Sequence, residues 1–176
     1  LLDSVAPSLI AAPTKSLRAP WDGQPVAITK ASYTCPAIAH LGSDLVTDGF
    51  YRLDDPTHSI IDPVRQAAYR KSSGKVKAVG MEIVKAADDY RTSGSREAAQ
   101  CAMAQIVSLA QEHSLAGKMS SNQAYYVQGW VVGAIAIAYL KIRETGIATP
   151  LQVNTMTTWM QSVGEQTKRY YDAHRK

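Results

Sequence analysis

Apolar and polar positions fall into helical register from Asp62 onward and into no sustained register before it. Val76, Val79, Ile83, Ala87 and Tyr90 recur at helical spacing, the stripe of an amphipathic helix. Asp62-Pro63 offers an N-cap followed by proline at the first helical position, and Gly94 offers a stop. Ser95 caps a second helix with the stripe Ala99, Ala102, Ile106, Ala110 and His113; Ala98 rather than Glu stands three positions after the cap, so no capping box is predicted. A third helix, from about Asn122 to Glu144 and closed by Gly146, is apolar nearly all round and is expected to be the most buried. Thr149-Pro150 opens a fourth, with Met156, Trp159, Val163, Thr167 and Tyr170 on one side. No segment alternates with period two over a useful length. The pattern predicts an all-α fold of at least four helices joined by short turns, so that neighbours run antiparallel. A bundle, a solenoid and an α/α toroid all satisfy it.

Before Asp62 the chain is punctuated by Pro7, Pro13, Pro20, Pro25, Pro36 and Pro56. Residues 1–60 therefore read as an irregular arm and residues 61–176 as the helical domain. The stretch Gly49 to Pro56 is a polar, mixed-charge loop carrying two aromatics expected to be exposed, Phe50 and Tyr51. At 176 residues the chain is long enough for one domain with a real core. Its net charge of +4 suits a polyanionic partner, and an acidic polysaccharide fits better than nucleic acid because Lys and Arg form no long run. Leu1-Leu2-Asp3 shows neither initiator Met nor signal peptide, the look of a processed or trimmed product. Ala124 to Leu140 is slightly short for a membrane span and is interrupted by Gln128, Gly129 and Gly133, so it reads as a core helix and no membrane partner is expected.

Cys35 and Cys101 are the two cysteines. They admit either one structural bridge or two buried thiols. A bridge closing so long a loop would contribute roughly 4 kcal/mol in the chain-entropy model and would imply an oxidising compartment. His40, His58, His113 and His174 are scattered without metal-ligand spacing, and His113 reads as a structural histidine of the second helix. No phosphate loop or nucleophile elbow is present, so neither metal nor cofactor is expected. Asp88 and Asp89 diverge on a helix and read as solvated. Gln123, Tyr126 and Trp130 stand at i, i+3 and i+7 on one helix face. An amide, a phenol and an indole together make a sugar platform; the alternative is that Tyr126 and Trp130 are simply core.

Several of these features occur in an order that resembles the alginate lyases of polysaccharide lyase family 5. Cys35-Pro36-Ala37-Ile38, the Phe50-Tyr51-Arg52 loop, Asp62-Pro63-Val64, Cys101 in its alanine-rich helix, the Trp130 helix and Lys168-Arg169-Tyr170-Tyr171 follow one another as in that family, over about residues 33–176. The resemblance implies an incomplete α/α toroid of antiparallel helices with an irregular N-terminal arm, and a Cys35–Cys101 disulfide. It implies β-elimination on a mannuronate-rich or related polyuronate in the periplasm or outside the cell. Tyr51 matches a tyrosine of the family's lid and is the catalytic candidate. Arg52, Gln123, Tyr126 and Trp130 are the substrate-binding candidates.

The departure is that the family's Asn-Asn-His-Xaa-Tyr-Trp motif is not in this sequence, and His174 does not sit in it. Two expectations follow: an N-terminal fragment of a lyase, or a non-catalytic helical module that holds acidic polysaccharide or a protein partner. Either one is expected to leave apolar surface for a missing C-terminal half or for self-association.

Overall fold

A computed structural model of the chain describes residues 18–174. The first part of the arm, Leu1-Leu2-Asp3 included, and Arg175-Lys176 lie outside the described residues. The fold is all-helical: α1 (Pro63–Ser93), α2 (Arg96–Gln111), α3 (Asn122–Ile142) with a short 3-10 turn at Arg143–Thr145, and α4 (Pro150–Ala173). No strand is present among the described residues, only three isolated bridges.

The ends of the helices are written locally. The Asp62 carboxylate accepts from the amides of Val64 and Arg65, Ser95 from that of Ala98, and Ser121 from that of Ala124. At α4, Thr149 and Gln152 form a reciprocal capping box. Gly94 and Gly146 end their helices in the left-handed region.

The chain turns back on itself between α1 and α2, and again between α3 and α4. Tyr125 stacks on Tyr170 at 3.8 Å between ring centres, while Gly129 lies against Thr167, so α3 and α4 are antiparallel. The expectation of antiparallel neighbours fails for the most extensive interface, α1 on α3. Tyr69 meets Gln123, Gly80 meets Val131, and Asp88 meets Lys141, so the two helices run parallel. The cause is that α2 returns the chain and the connection after it restarts α3 in the direction of α1. Packing one hairpin on the next then sets like members side by side. Such consecutive hairpins are compatible with an arc of an α/α toroid.

Burial also departs from expectation. Ten of the sixteen residues of α2 are buried, against eight of the twenty-one of α3. The alanine-rich α2 lies beneath α1, the arm and α4. One face of α3 stays open and leaves Trp130 60% exposed and Ile137 49% exposed. By length and composition Asn122–Thr145 could cross a membrane, but it packs on all three other helices. His113 is not structural: it is exposed, with φ 50°, in the turn that ends α2. The core centres on Ile83, Ile106, Leu109, Leu115, Ile135, Ile142 and Met156. Gln128 is a fully buried polar side chain that crosses it, donating to the Leu115 carbonyl and to Gln166 and accepting from Thr167. Its hydrogen-bonding capacity is thus met inside the core.

The arm runs beside α2 in the same direction. The Thr29 amide donates to the Gly94 carbonyl, Ser95 Oγ to the Ala31 carbonyl, and Gln105 to the Pro36 carbonyl. Cys35 and Cys101 form a disulfide with Cα atoms 5.5 Å apart. Farther along, Leu115 and Gly117 donate to the carbonyls of Gly42 and Ser43. The arm is therefore held by many bonds besides the bridge. Replacing both cysteines by serine is expected to cost roughly 2–4 kcal/mol in chemical denaturation. The Leu115 and Gly117 amides should nevertheless stay protected in hydrogen exchange. Their loss of protection would mean that the disulfide alone holds the arm.

Candidate functional site

The loop between the arm and α1 folds back on itself. Tyr51 bridges Ile61, the Arg52 amide donates to the Ile60 carbonyl, and the Asp62 amide donates to the Phe50 carbonyl. Its tip is organised by Asp55, which is buried rather than solvated. The Asp55 carboxylate accepts from the Thr57 hydroxyl at 2.6 Å, the Ile60 amide at 2.7 Å and the Ser59 amide at 2.7 Å. Those donors, the Thr57 hydroxyl first, hold its carboxyl far below the usual carboxylate range. A depressed folded pKa means that its stabilising effect is complete above about pH 4, the unfolded aspartate value, and fades only as pH falls toward the folded value. The Ser59 and Ile60 amides are thus expected to stay protected from exchange through mild acid. Asp55→Ala should release them at neutral pH; protection equal to the parent chain would contradict this.

Phe50 and Tyr51, expected to be exposed, are half-buried. Phe50 lies between Tyr51, at 4.6 Å, and Tyr69 of α1, at 5.0 Å between ring centres. This aromatic contact seats the loop on the bundle and turns Tyr51 toward α3.

A cleft of ≈ 410 Å³ opens where the loop faces the starts of α1 and α3. Tyr51, Arg52, Gln123 and Tyr126 all line it, as do Asp48, His58, Arg65 and Asn122. Trp130 does not. It stacks on Tyr126 at 5.7 Å and opens onto the neighbouring groove between α1 and α3. The core alternative for Tyr126 and Trp130 is thereby excluded, since both are exposed.

Two arginines face the cleft in different states. Arg52 is committed within the loop, its guanidinium forked onto the two oxygens of Asp54. Arg65 is more sheltered. Among the described residues its one ion-pair partner, Asp48, is 3.5 Å away, and its buried Nε has no hydrogen-bond partner. Arg65 is the stronger anion site because its donors are less used. Behind the cleft wall, Gln123 Nε2 donates to Tyr69 Oη at 3.4 Å, and Lys77 Nζ donates to the same oxygen at 2.7 Å. On the α4 side, Tyr171 packs on Tyr126. Burial, with Tyr126 and Tyr170 as neighbours, pushes its phenol up to about 12, and its Oη has no hydrogen-bond partner among the described residues.

Arg65 and His58 line the cleft, and Lys77 lies outside it, without a sequence signal that marks any of the three. Arg65 is one turn into a capped helix and looks like any surface arginine; only the fold of the preceding loop turns it into a cleft residue. His58 had no neighbour in sequence that marked it. Lys77 stands beside the apolar stripe of α1, next to Val76, and nothing in its sequence neighbourhood marks it.

A model of the alginate lyase family matches residues 49–176. A polysaccharide lyase of Stenotrophomonas maltophilia (strain K279a) is 27% identical over 150 residues, which cover 84% of this chain and 44% of that relative. The chain therefore spans less than half the length of the curated relative it matches.

Proposed function

The chain belongs to the alginate lyase family, and on that premise we propose that it supplies a uronate-binding wall of a polysaccharide lyase that cleaves mannuronate-rich alginate, or a related polyuronate, by β-elimination. Arg65 carries this reading: a sheltered guanidinium with an unpartnered Nε, set in one cleft with Tyr51, Gln123 and Tyr126. Removing the proton beside a uronate carboxylate loads negative charge onto that carboxylate. A cation fixed against it stabilises the charged transition state more than the ground state. Arg65 is the group for that task, with Arg52 second because Asp54 already occupies it. Tyr51 stands at the cleft on the loop that faces the start of α3, positioned to exchange a proton with a bound sugar. Gln123 meets hydroxyls, Tyr126 offers a ring face to a pyranose, and Trp130 extends that aromatic surface beyond the cleft. The disulfide fits a periplasmic or secreted protein.

Mannuronate oligomers are expected to bind the 176-residue chain. The rise in ultraviolet absorbance that reports an unsaturated uronate product should be small or absent, because the family's Asn-Asn-His segment is not in the sequence. A longer form that contains such a segment should turn over. Rapid turnover by residues 1–176 alone would assign the chemistry to groups already present, with Tyr51 and His58 the first to replace. Binding without turnover in any longer form would leave the non-catalytic module.

A further inference from the structure

Beyond the cleft, the groove between α1 and α3 has a volume of ≈ 620 Å³ and a mostly apolar wall that includes Met81, Val84 and Ala134. Lys77 and Trp130 stand at its end nearest the cleft, since Tyr69 meets Gln123 on that side and Gly80 meets Val131 just beyond. Lys77 is half-buried. Its ammonium lies 4.3 Å from the Tyr69 ring centre and donates to Tyr69 Oη, and no carboxylate pairs with it among the described residues. A sheltered cation held only by a phenol keeps donors to spare, and an arriving carboxylate would meet it without first displacing a partner.

We propose that Lys77 and Trp130 form a further uronate subsite, in which the sugar next to the one in the cleft stacks on the Trp130 indole and places its carboxylate on Lys77. The proposal rests on the polyuronate reading above and adds where the bound chain goes next. The indole is 60% exposed, and Tyr126, stacked on it, already lines the cleft, so the two aromatic surfaces are continuous. The charges at the groove's far end are already paired, Asp89 with Lys85 and Asp88 with Lys141, so neither lysine there is free for a ligand. A polyanion is drawn as far as Lys77 and meets no free cation past it among the described residues of the groove. The subsite is therefore the last one on this side.

Calorimetry with a mannuronate disaccharide and tetrasaccharide tests this on the 176-residue chain. The parent chain should bind the tetrasaccharide more tightly. Lys77→Met, which keeps the aliphatic stem, should weaken the tetrasaccharide by about tenfold, the scale of one charge-assisted hydrogen bond. The disaccharide should change by less than about twofold on the same scale. Lys77→Arg should recover most of the loss. If Lys77→Met fails to fold, NMR of the parent chain serves: the tetrasaccharide, but not the disaccharide, should shift the Trp130 indole N–H and the Lys77 side-chain signals. Tetrasaccharide binding unchanged in Lys77→Met, or no such shift, overturns the subsite while leaving the cleft intact. Failure of both oligomers to bind the parent chain overturns the cleft and the subsite together.

Discussion

Replacing Arg65 by methionine is expected to weaken mannuronate-oligomer binding by about a hundredfold, the loss typical of removing one partner of a sheltered, hydrogen-bonded charge pair. Arg65 sits in the first turn of α1, where Asp62 accepts its amide and Pro63 fixes the helix entry, so its backbone position is set before any ligand arrives. Methionine preserves the aliphatic packing of the stem and removes only the guanidinium. The fold should survive, as circular dichroism and thermal melting would report. Arg65→Lys should recover only part of the affinity, because an ammonium cannot reproduce a planar fork. Arg52→Met should cost less than Arg65→Met, since the Arg52 fork already holds Asp54. Equal affinity of Arg65→Met and the parent chain by calorimetry would remove Arg65 from the site.

The largest effect of a single substitution on stability is expected at Gly94. Its φ of 72° is already unfavourable for a side chain, and a Cβ there would stand 2.1 Å from the Ala27 carbonyl oxygen. The arm passes so close because the Thr29 amide binds the Gly94 carbonyl. Gly94→Ala therefore combines left-handed strain with displacement of the arm, for a loss of about 3 kcal/mol. In a chain of this size that lowers the melting temperature by roughly 6–12 °C. Gly133 is the control. It lies in the exposed part of α3, where a Cβ would meet nothing within 4 Å. Gly133→Ala should stabilise by roughly 0.5–1 kcal/mol through helix propensity alone. A Gly94→Ala protein as stable as its parent would mean that the arm is not bound there.

The helices were legible because their signals are local. Asp62-Pro63, Ser95, Gly94 and Thr149-Pro150 act within a few residues of themselves; the stripe of α1 is buried throughout, that of α2 as far as Ala110, and that of α4 from Met156 to Val163, with Thr167 and Tyr170 half-buried and His113 exposed beyond the end of α2. The direction of α3 relative to α1 was not legible, because it depends on how one hairpin packs on the next. Nor was the exposure of α3: a helix apolar all round carries no mark of which face will lack a neighbour. Composition hid Asp55, whose burial follows from hydrogen bonds made only when the loop closes on itself. Among the site candidates, Gln123 and Tyr126 share a helix face by spacing, and the loop brings Tyr51 and Arg52 to them. Trp130 is one turn farther along and so belongs to the groove.

The central claim is that this cleft recognises the carboxylates of a uronate polymer, and it is tested most directly by changing only those carboxylates. Calorimetry would compare a mannuronate tetrasaccharide with the same oligomer after its carboxyl groups are reduced to alcohols. The ring faces offered to Tyr126 and Trp130 are unchanged by that reduction, while the charge offered to Arg65 disappears. The acidic oligomer is expected to bind, its affinity to fall with added salt, and the reduced oligomer to bind at least about a hundredfold more weakly. Equal binding of the two oligomers, or binding of neither, would contradict the claim.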